Sequence, residues 1–273
     1  MTQGATTRRE ITGVDCHAHI MLKNAPLVAG RHSEPERDVK VEDFIAMLDA
    51  HGVSHGLLTQ PSFYGTDNSL LLRALADHPD RLRGTAIVSC DIGETELAAL
   101  YDRGIRGIRL NWFRRKELPD VRSADYRRLF GRVREIGLHV ELYLEGVKAA
   151  SVLPEIRKTG VKVVVDHFGS PEPETGIEGA GFREVLKGVA TGDTWVKLSA
   201  PYRLGGASPE PYVAALLAAG GPHRLIWGSD WPWVSFEKGR SYEGCLADLE
   251  RWLPDVLKRE TVFKRTPADL FDL

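Results

Sequence analysis

The chain has 273 residues, of which 42% are hydrophobic and 27% are charged, so it is long enough to bury one large core. A formal net charge of −2 gives no reason to expect a nucleic acid or an anionic membrane as partner. The longest apolar runs have the length of strands, and no signal-like segment opens the chain, so we expect a cytoplasmic protein without a membrane span.

Strand-like and helix-like segments alternate along the chain. Amphipathic stretches, with apolar residues at three- and four-residue spacing, separate segments that have the apolar composition of buried strands. The predicted strands are 13–20, 55–62, 82–89, 104–112, 139–145, 161–169, 194–200 and 224–230, and the clearest predicted helices are 41–51, 68–78, 124–136 and 209–219. This pattern, without a long linker, favours an α/β fold with a single (β/α)8 TIM barrel over residues 1–273.

Two histidines stand at the end of the first predicted strand, in the sequence Asp-Cys-His-Ala-His at residues 15–19. His17 and His19 are two residues apart, so on an extended strand they point to the same face, roughly 7 Å from one another. The neighbouring residues are apolar, which predicts a buried strand. Such a pair predicts a site for one metal ion or one substrate oxygen.

Two other strands end in comparable side chains. His167 lies in Val-Asp-His-Phe-Gly at 165–169, and Asp230 lies in Trp-Gly-Ser-Asp-Trp-Pro at 227–232. A carboxylate after an apolar strand is costly to bury without a partner, so Asp230 is a functional candidate, with a turn cap as the alternative. His167 is either functional or a cap of the barrel end. We predict core or surface roles for the remaining histidines, His32, His51, His55, His78, His139 and His223.

These candidates all fall at the carboxyl ends of their strands, where barrel enzymes build their active sites. Further polar residues share that position: Ser62, Arg109, Asn111, Tyr143 and Arg203. Arg109 alternates with apolar Ile108 and Leu110, which predicts that it points into the barrel. Arg115 belongs to a charged run at 114–116 that by itself favours the surface. Arginines at a pocket would select a carboxylate-bearing substrate by bidentate hydrogen bonding.

Two long loops, 24–40 and 170–181, follow the carboxyl ends of the first and sixth strands. They could cover a bound substrate, or they could be tolerated insertions. Three tryptophans near the predicted pocket, Trp112, Trp231 and Trp233, indicate either a flat substrate or packing of the barrel rim.

The cysteines argue against a disulfide framework and against a structural zinc site. Cys16, Cys90 and Cys245 are an odd and scattered set without a Cys-x-x-Cys pair. Strand alternation places Cys16 on the face opposite His17, which predicts a packed thiol and not a nucleophile.

The chain resembles the amidohydrolase superfamily, specifically its 2-pyrone-4,6-dicarboxylate lactonase-like branch, in the segments DCHAHI, GVSHGLLTQPSFYGTDN, GIRGIRLNW, HVELYLE, VVVDHFG and RLIWGSDWP. The first pattern alone occurs across the superfamily, whereas the set in this order is typical of the branch. The resemblance covers nearly the whole chain. It implies a (β/α)8 barrel enzyme of aromatic compound catabolism that hydrolyses a small carboxylated lactone.

The resemblance also implies roles for the candidate residues. The aspartate that matches Asp230 acts as general base for water, and the histidines that match His17, His19 and His167 surround the reacting carbonyl. The remaining matches would bind the substrate: Arg109, Arg115 and Arg203 through its carboxylates, and Tyr143 by direct contact. Ser62 joins this substrate-binding set because of its place after the second strand.

Three positions depart from the lactonase pattern. Ser170 stands where the branch usually has an arginine, Trp233 where a histidine is frequent, and Ser33 near a common tyrosine. The lost cation predicts a substrate with fewer carboxylates or with another group in that corner. The exact lactone, the oligomeric state and the pathway remain open.

The resemblance implies catalysis without a metal, because this branch works without one. Tyr143 occupies the fifth-strand position of a histidine in binuclear members of the superfamily, and Lys148 lies beyond the end of that strand. If a divalent ion such as zinc or manganese binds, we expect His17, His19 and Asp230 as its ligands.

Two alternatives to a lactonase remain. The same superfamily includes lactone isomerases, which do not consume water, and metal-dependent decarboxylases. A barrel that binds a small acid without turning it over is a third reading, disfavoured because buried histidine and aspartate side chains at a pocket cost stability without a structural task.

Overall fold

The computed structural model describes residues 9–31 and 33–273, in which eight parallel strands follow one another in chain order around a barrel. The strands are β1 (Val14–Ala18), β2 (His55–Thr59), β3 (Leu82–Ala86), β4 (Ile105–Asn111), β5 (His139–Tyr143), β6 (Lys162–Val165), β7 (Thr194–Leu198) and β8 (Leu225–Trp227). Each lies within a predicted strand and ends earlier at its carboxyl end. The prediction of a (β/α)8 barrel is confirmed, and the candidate site residues lie mostly on the turns that leave the strands.

Helices connect the strands on the outside of the barrel. They are α1 (Val41–Ala50), α2 (Ser69–Asp77), α3 (Glu94–Asp102), α4 (Ala124–Ile136), α5 (Gly146–Arg157), α6 (Ala180–Thr191), α7 (Glu210–Gly220), α8 (Tyr242–Trp252), α9 (Val256–Glu260) and α10 (Thr266–Phe271). In α4 the Ser123 side chain caps the first turn, and Gly137 ends the helix in the left-handed conformation. Its buried residues Leu129, Phe130 and Val133 fall at helical spacing on one face.

The barrel closes between β1 and the turn that follows β8. The Asp230 N–H donates to the His17 carbonyl at 2.9 Å, and the His19 N–H donates to the Trp231 carbonyl at 2.8 Å. A Cβ at Gly228 would lie 2.7 Å from the His17 Cβ, so glycine is required at this close approach. The closure of the barrel therefore sets the distance from His17 and His19 to Asp230.

The barrel interior has an apolar layer at its amino end. Cys16 packs there with Leu57, Val164 and Ile226, and Phe271 covers the cluster. The Cys16 thiol is buried, and burial raises its pKa well above the ordinary value, so the predicted packed thiol is confirmed. The predicted face is wrong, because the β1 to β2 register shifts between Asp15 and Ala18 and this irregularity breaks the alternation.

The remaining histidines that the structure describes lie outside the cavity described below. His51 and His223 are exposed, and His78 is half-buried. His55 is buried with its Nδ1 2.7 Å from the Ser54 hydroxyl. His139 is buried, and its ring packs against the ring of Phe271. His32 lies outside the described residues.

Within residues 9–31 and 33–273, every helix is too short or too polar to cross a bilayer.

Candidate active site

A cavity of about 490 Å³ opens at the carboxyl ends of the strands. Several predicted site residues line it: His19, Ser62, Arg109, Tyr143, His167, Arg203 and Asp230. His17 is fully buried beside them, with the edge of its ring against His19. The fold thus brings the predicted catalytic residues and most of the predicted substrate-binding residues to one place.

Arg115 is the predicted site residue that the structure does not bring there. It is exposed on the loop after β4 and is not part of the cavity lining. Its neighbour Arg114 does line the cavity, in a left-handed conformation with φ of 63°. The Arg114 N–H donates to Glu145 Oε1 at 2.8 Å, which fixes this turn. The turn, which sequence position alone does not reveal, makes Arg114 the cation of this loop that reaches the cavity.

Asp230 lies at the centre of the site, 1% exposed and with φ of 60°. Its Oδ2 accepts hydrogen bonds from the Tyr202 hydroxyl at 2.5 Å and from the Arg203 Nε and Nη2 at 3.2 and 3.0 Å. Its Oδ1 lies 3.5 Å from His17 Nε2 and 3.8 Å from His19 Nε2. One carboxylate oxygen is therefore held by a phenol and a guanidinium, and the other lies next to the histidine pair.

A buried carboxylate on β1 holds the turn that carries Asp230. Asp15 accepts hydrogen bonds from the Ser229 N–H at 2.9 Å and from the Ser229 hydroxyl at 2.6 Å. Burial raises the pKa of Asp15 to about 6, although these hydrogen bonds favour its ionised form. The Trp233 N–H closes the turn by donating to the Asp230 carbonyl at 2.7 Å. The left-handed backbone at Asp230 is thus supported from both sides.

The charge of Asp230 depends on Arg203. Burial alone would raise the pKa of Asp230, but the Arg203 guanidinium and the surrounding histidines hold that pKa far below its ordinary value. The Arg203 side chain is 22% exposed, against 2% for Asp230. Asp230 is therefore ionised, and its cationic partner is the one that solvent and an entering anion can reach.

Hydrogen bonding assigns the ring protons of the histidine pair. His19 Nδ1 lies 2.7 Å from the Thr59 carbonyl, and a carbonyl oxygen only accepts, so Nδ1 carries the proton. Burial lowers the pKa of His19 to about 4, so the ring is neutral near pH 7 and its Nε2 is a lone pair. His17 Nε2 lies 3.2 Å from that lone pair and must donate to it. Of the two rings, His17 presents an N–H and His19 presents an acceptor.

His167 follows β6 on a tight turn, with φ of 49°. Its Nδ1 lies 2.9 Å from the Ser199 hydroxyl, and its ring packs edge-on against Tyr143. Burial lowers the pKa of His167 to about 3, so this ring is also neutral near pH 7. Burial likewise raises the pKa of Tyr143 to about 12, which keeps its hydroxyl protonated.

A layer of buried charges lies beneath the cavity. Lys197, from the middle of β7, donates to Glu141 Oε2 at 2.6 Å and to His17 Nδ1 at 3.0 Å. Its ammonium also lies 3.2 Å from Asp166 Oδ1. Arg109 Nη2 donates to Asp166 Oδ2 at 3.1 Å, and Arg109 Nε lies 3.2 Å from Glu141 Oε1. Arg109 is thus committed to buried carboxylates as well as lining the cavity.

Neighbouring charges support Lys197 and Asp166 in this layer, whereas burial and the Asp166 carboxylate raise the pKa of Glu141. Burial would lower the pKa of Lys197, but Asp166 and Glu141 raise it, so the ammonium persists. Burial would raise the pKa of Asp166, but Lys197 holds that pKa well below the ordinary range. Two cations thus face two carboxylates in a region without solvent access, where an unpaired charge would be strongly destabilising.

The predicted metal ligands do not fit a metal ion as they stand. Ligand atoms of His17, His19 and Asp230 lie within 4.8 Å of one another, and the His19 lone pair and the Asp230 carboxylate are suitable donors. His17 Nε2, however, carries a proton. A second group, His17 with Asp166 and His167, lies against the Lys197 ammonium, which would repel a cation. No chemical step is therefore assigned to a metal.

Aromatic side chains other than the predicted tryptophans line the cavity. They are Phe63, Phe113, Tyr143, Tyr202 and Phe236. Trp112 and Trp231 are buried in the core, and the Trp233 Nε1–H donates to the Ser229 carbonyl at 3.1 Å. The tryptophans therefore pack the barrel rim, which was the alternative to a role in substrate contact.

Both long loops reach the cavity. Ser33 of the first loop and Ser170, Pro171, Glu172 and Pro173 of the second belong to its lining. Two of the three departures from the lactonase pattern, Ser33 and Ser170, therefore lie where a substrate would sit.

Sequence reasoning missed Lys197, Glu141, Asp166 and Tyr202. The signal for the first two was a charged residue inside an apolar strand, which can be buried only with a partner. Asp166 directly precedes His167, and Tyr202 directly precedes Arg203, so both stood inside segments already considered. Their ion-pair and hydrogen-bond partners come from other strands, and sequence alone did not identify those pairs.

The chain is similar in sequence to known lactone hydrolases. It is 29% identical over 268 residues to a 4-sulfomuconolactone hydrolase from Rhizobium radiobacter, covering 94% of this chain and 89% of that protein. It is 29% identical over 253 residues to a 2-pyrone-4,6-dicarboxylate hydrolase from Comamonas testosteroni, covering 86% of this chain and 82% of that protein.

A similar solved structure is that of a probable 2-pyrone-4,6-dicarboxylic acid hydrolase from Acinetobacter baumannii with citric acid bound. It shares 32% identity and a TM-score of 0.88, covering 96% of this chain and 100% of that one. The family model for amidohydrolases matches residues 14–273. The predicted class of enzyme, a hydrolase of the amidohydrolase superfamily with lactone hydrolases as relatives, is confirmed. The protein belongs to the amidohydrolase family.

Proposed function

We propose that this protein hydrolyses a small lactone that carries at least one anionic group, with Asp230 as general base. The observation that carries the proposal is the asymmetry of Asp230. One oxygen is held by Arg203, and the other lies within 3.5 and 3.8 Å of the His17 and His19 Nε2 atoms at the cavity. A water molecule between that free oxygen and a bound carbonyl would be oriented for attack.

Arg203 links anion binding to the base. An ionised Asp230 with a strongly lowered pKa is a weak base while Arg203 neutralises it. A substrate carboxylate or sulfonate can draw the guanidinium away from Asp230. Burial is then the main influence on the pKa of Asp230, and burial raises that pKa. The base then becomes stronger only when a substrate with the correct charge is bound.

The histidines divide the remaining work. The His17 Nε2–H donates to His19 Nε2 in the free site, and we propose that it turns to the carbonyl oxygen as that oxygen gains negative charge. His19 Nε2, released from this hydrogen bond, can then accept from an O–H of the attacking water and orient it. Protonated Asp230 returns its proton to the leaving oxygen, which balances the hydrolysis.

Cavity chemistry supports the substrate class. Arg109, Arg114 and Arg203 line the cavity together with Tyr143 and Phe113, whose rings stack at 4.7 Å. Cations beside aromatic faces suit a flat, anionic ring. The relatives named above act on lactones that carry sulfonate or carboxylate groups, and one related structure holds the tricarboxylate citric acid.

The test is turnover of a panel of lactones with carboxylate or sulfonate substituents, in water enriched in oxygen-18, with and without chelator. We expect ring opening with one labelled oxygen in the new carboxylate, unaffected by the chelator. Isomerisation without label would replace the hydrolase with an isomerase. Turnover that the chelator abolishes would contradict the assignment of His17 as a proton donor.

A further inference from the structure

We infer that Lys197 is a positioning residue that sets the tautomer of His17, so that the histidine directs an N–H toward His19 and Asp230 and withholds that nitrogen from metal ions. Lys197 is fully buried and does not belong to the cavity lining, so it acts through His17.

The first step of the argument is the contact between the two side chains. The Lys197 Nζ lies 3.0 Å from His17 Nδ1, and both side chains are fully buried. An ammonium group has only donors, so His17 Nδ1 must accept and cannot carry a proton. The neutral ring then has its proton on Nε2, the nitrogen beside His19 and Asp230.

The second step is that the ammonium cannot turn away from His17. It donates to Glu141 Oε2 at 2.6 Å and lies 3.2 Å from Asp166 Oδ1. The backbones of Lys197 and Glu141 belong to β7 and β5, which fix their positions. Asp166 Oδ1 is 3.4 Å from His17 Nδ1 and could accept a hydrogen bond from it. The alternative tautomer therefore has an acceptor available and is excluded by Lys197.

The third step concerns what the chosen tautomer does. A protonated Nε2 can donate to a developing oxyanion, whereas a metal ligand needs a lone pair at that atom. Moving the proton to Nδ1 would point an N–H at an ammonium, and both groups are fully buried. Lys197 thus favours direct hydrogen bonding by His17 and opposes metal binding at the same atom.

The experiment compares the Glu141→Gln variant with the Glu141→Gln/Lys197→Met double variant, which differ only at Lys197. The double variant leaves one cation, Arg109, facing one ionised carboxylate, Asp166, so the buried charges remain balanced. Long-range proton–nitrogen NMR correlation of histidine-labelled protein reads the tautomer directly, with the His17 signal assigned by its loss in His17→Gln. Lys158→Met, at the exposed residue that follows α5, serves as the surface control.

In the wild type and in Glu141→Gln we expect His17 with its proton on Nε2. In the double variant we expect a shift toward the Nδ1 tautomer, with Asp166 as acceptor. We also expect zinc to be retained after dialysis, and kcat to fall about 100-fold with KM changed less than about threefold. Lys158→Met should match the wild type in every readout.

A wild-type His17 with its proton on Nδ1 overturns the inference, and this outcome does not depend on whether any variant folds. A double variant that keeps the Nε2 tautomer also overturns it. The turnover readout rests on the proposed lactone hydrolysis, but the tautomer and zinc readouts need no substrate. If no lactone is hydrolysed, the proposed function fails while the role of Lys197 is still decided.

Discussion

Two groups of cations and carboxylates lie one above the other in this barrel, and they differ in access. At the cavity, Arg203 holds Asp230 and remains 22% exposed. Beneath it, Lys197 and Arg109 hold Glu141 and Asp166, with side chains that are at most 3% exposed. The upper pair can exchange partners with an anion from solvent, whereas in the lower group Lys197, Glu141 and Asp166 lie outside the cavity lining and out of reach of such an anion.

The comparison teaches that the same chemistry serves two purposes. A solvent-accessible ion pair can act as a switch because a substrate can replace one partner. A buried ion-pair group instead holds geometry, because breaking it leaves an uncompensated charge that costs roughly 3–5 kcal/mol. The following predictions test that contrast.

The largest effect is expected for Asp230→Asn. Asparagine keeps the shape and can accept from Arg203, but it cannot take a proton from water, so kcat should fall about 1,000-fold with little loss of stability. Steady-state turnover and thermal unfolding followed by circular dichroism measure both. Asp77→Asn, on the exposed side of α2, is the matched control. A variant that keeps more than about a tenth of the turnover would remove Asp230 as the base.

A smaller effect on turnover, with a change in pH dependence, is expected for Arg203→Met. Loss of the guanidinium should raise KM roughly 10- to 100-fold for an anionic lactone. It should also raise the pKa of Asp230, because burial then dominates. A base acts in its ionised form, so the acid limb of kcat/KM should move to higher pH.

Arg114→Met provides the comparison, since Arg114 lines the cavity without bonding to Asp230. It should raise KM and leave the acid limb in place. An unchanged acid limb in Arg203→Met would show that the upper pair does not control the base.

Acid titration should destabilise the fold through its buried neutral histidines. Burial lowers the pKa of His19 to about 4, and lowers the values of His139 and His167 to about 3, against 6.5 for an unperturbed ring. Between pH 6.5 and these values the unfolded chain binds more protons, so stability is present above pH 6.5 and is lost as pH falls.

Urea unfolding at pH 7 and at pH 4.5 measures the loss, which should be on the order of 1–3 kcal/mol per fully buried histidine between these two pH values. His139→Leu should flatten the dependence, because it removes one such ring at the amino end of the barrel without touching the cavity. Equal stability at the two pH values would contradict the assignment of neutral rings.

The smallest effect is expected for Lys158→Ala. Lys158 pairs with Glu155 on α5 at 2.6 Å and is 69% exposed, so water screens the interaction. The free energy of unfolding should change by less than about 0.5 kcal/mol. If the free energy of unfolding fell by as much as is expected for breaking the buried group, solvent access would not distinguish exposed from buried ion pairs in this protein.

Much of the architecture could be predicted because it depends on local pattern. Apolar strands of fixed length alternating with amphipathic helices specify the barrel, and polar residues at strand ends specify which face carries the site. His17, His19, His167 and Asp230 were identified in this way. That Arg114 and not Arg115 lines the cavity, and that Cys16 faces the barrel interior, could not be predicted, because a left-handed residue at Arg114 and an irregular register in β1 interrupt the regular alternation.

The sequence by itself determined the fold, the face of the active site and the residues able to do chemistry there, since these follow from periodicity and side-chain type. The tertiary structure alone decided which side chains pair. The partners of Lys197 are Glu141 and His17, which lie 56 and 180 residues away in the chain. Their contact depends on the order and stagger of the strands around the barrel. The proton positions on His17 and His19, and hence which ring donates and which accepts, follow from those long-range contacts.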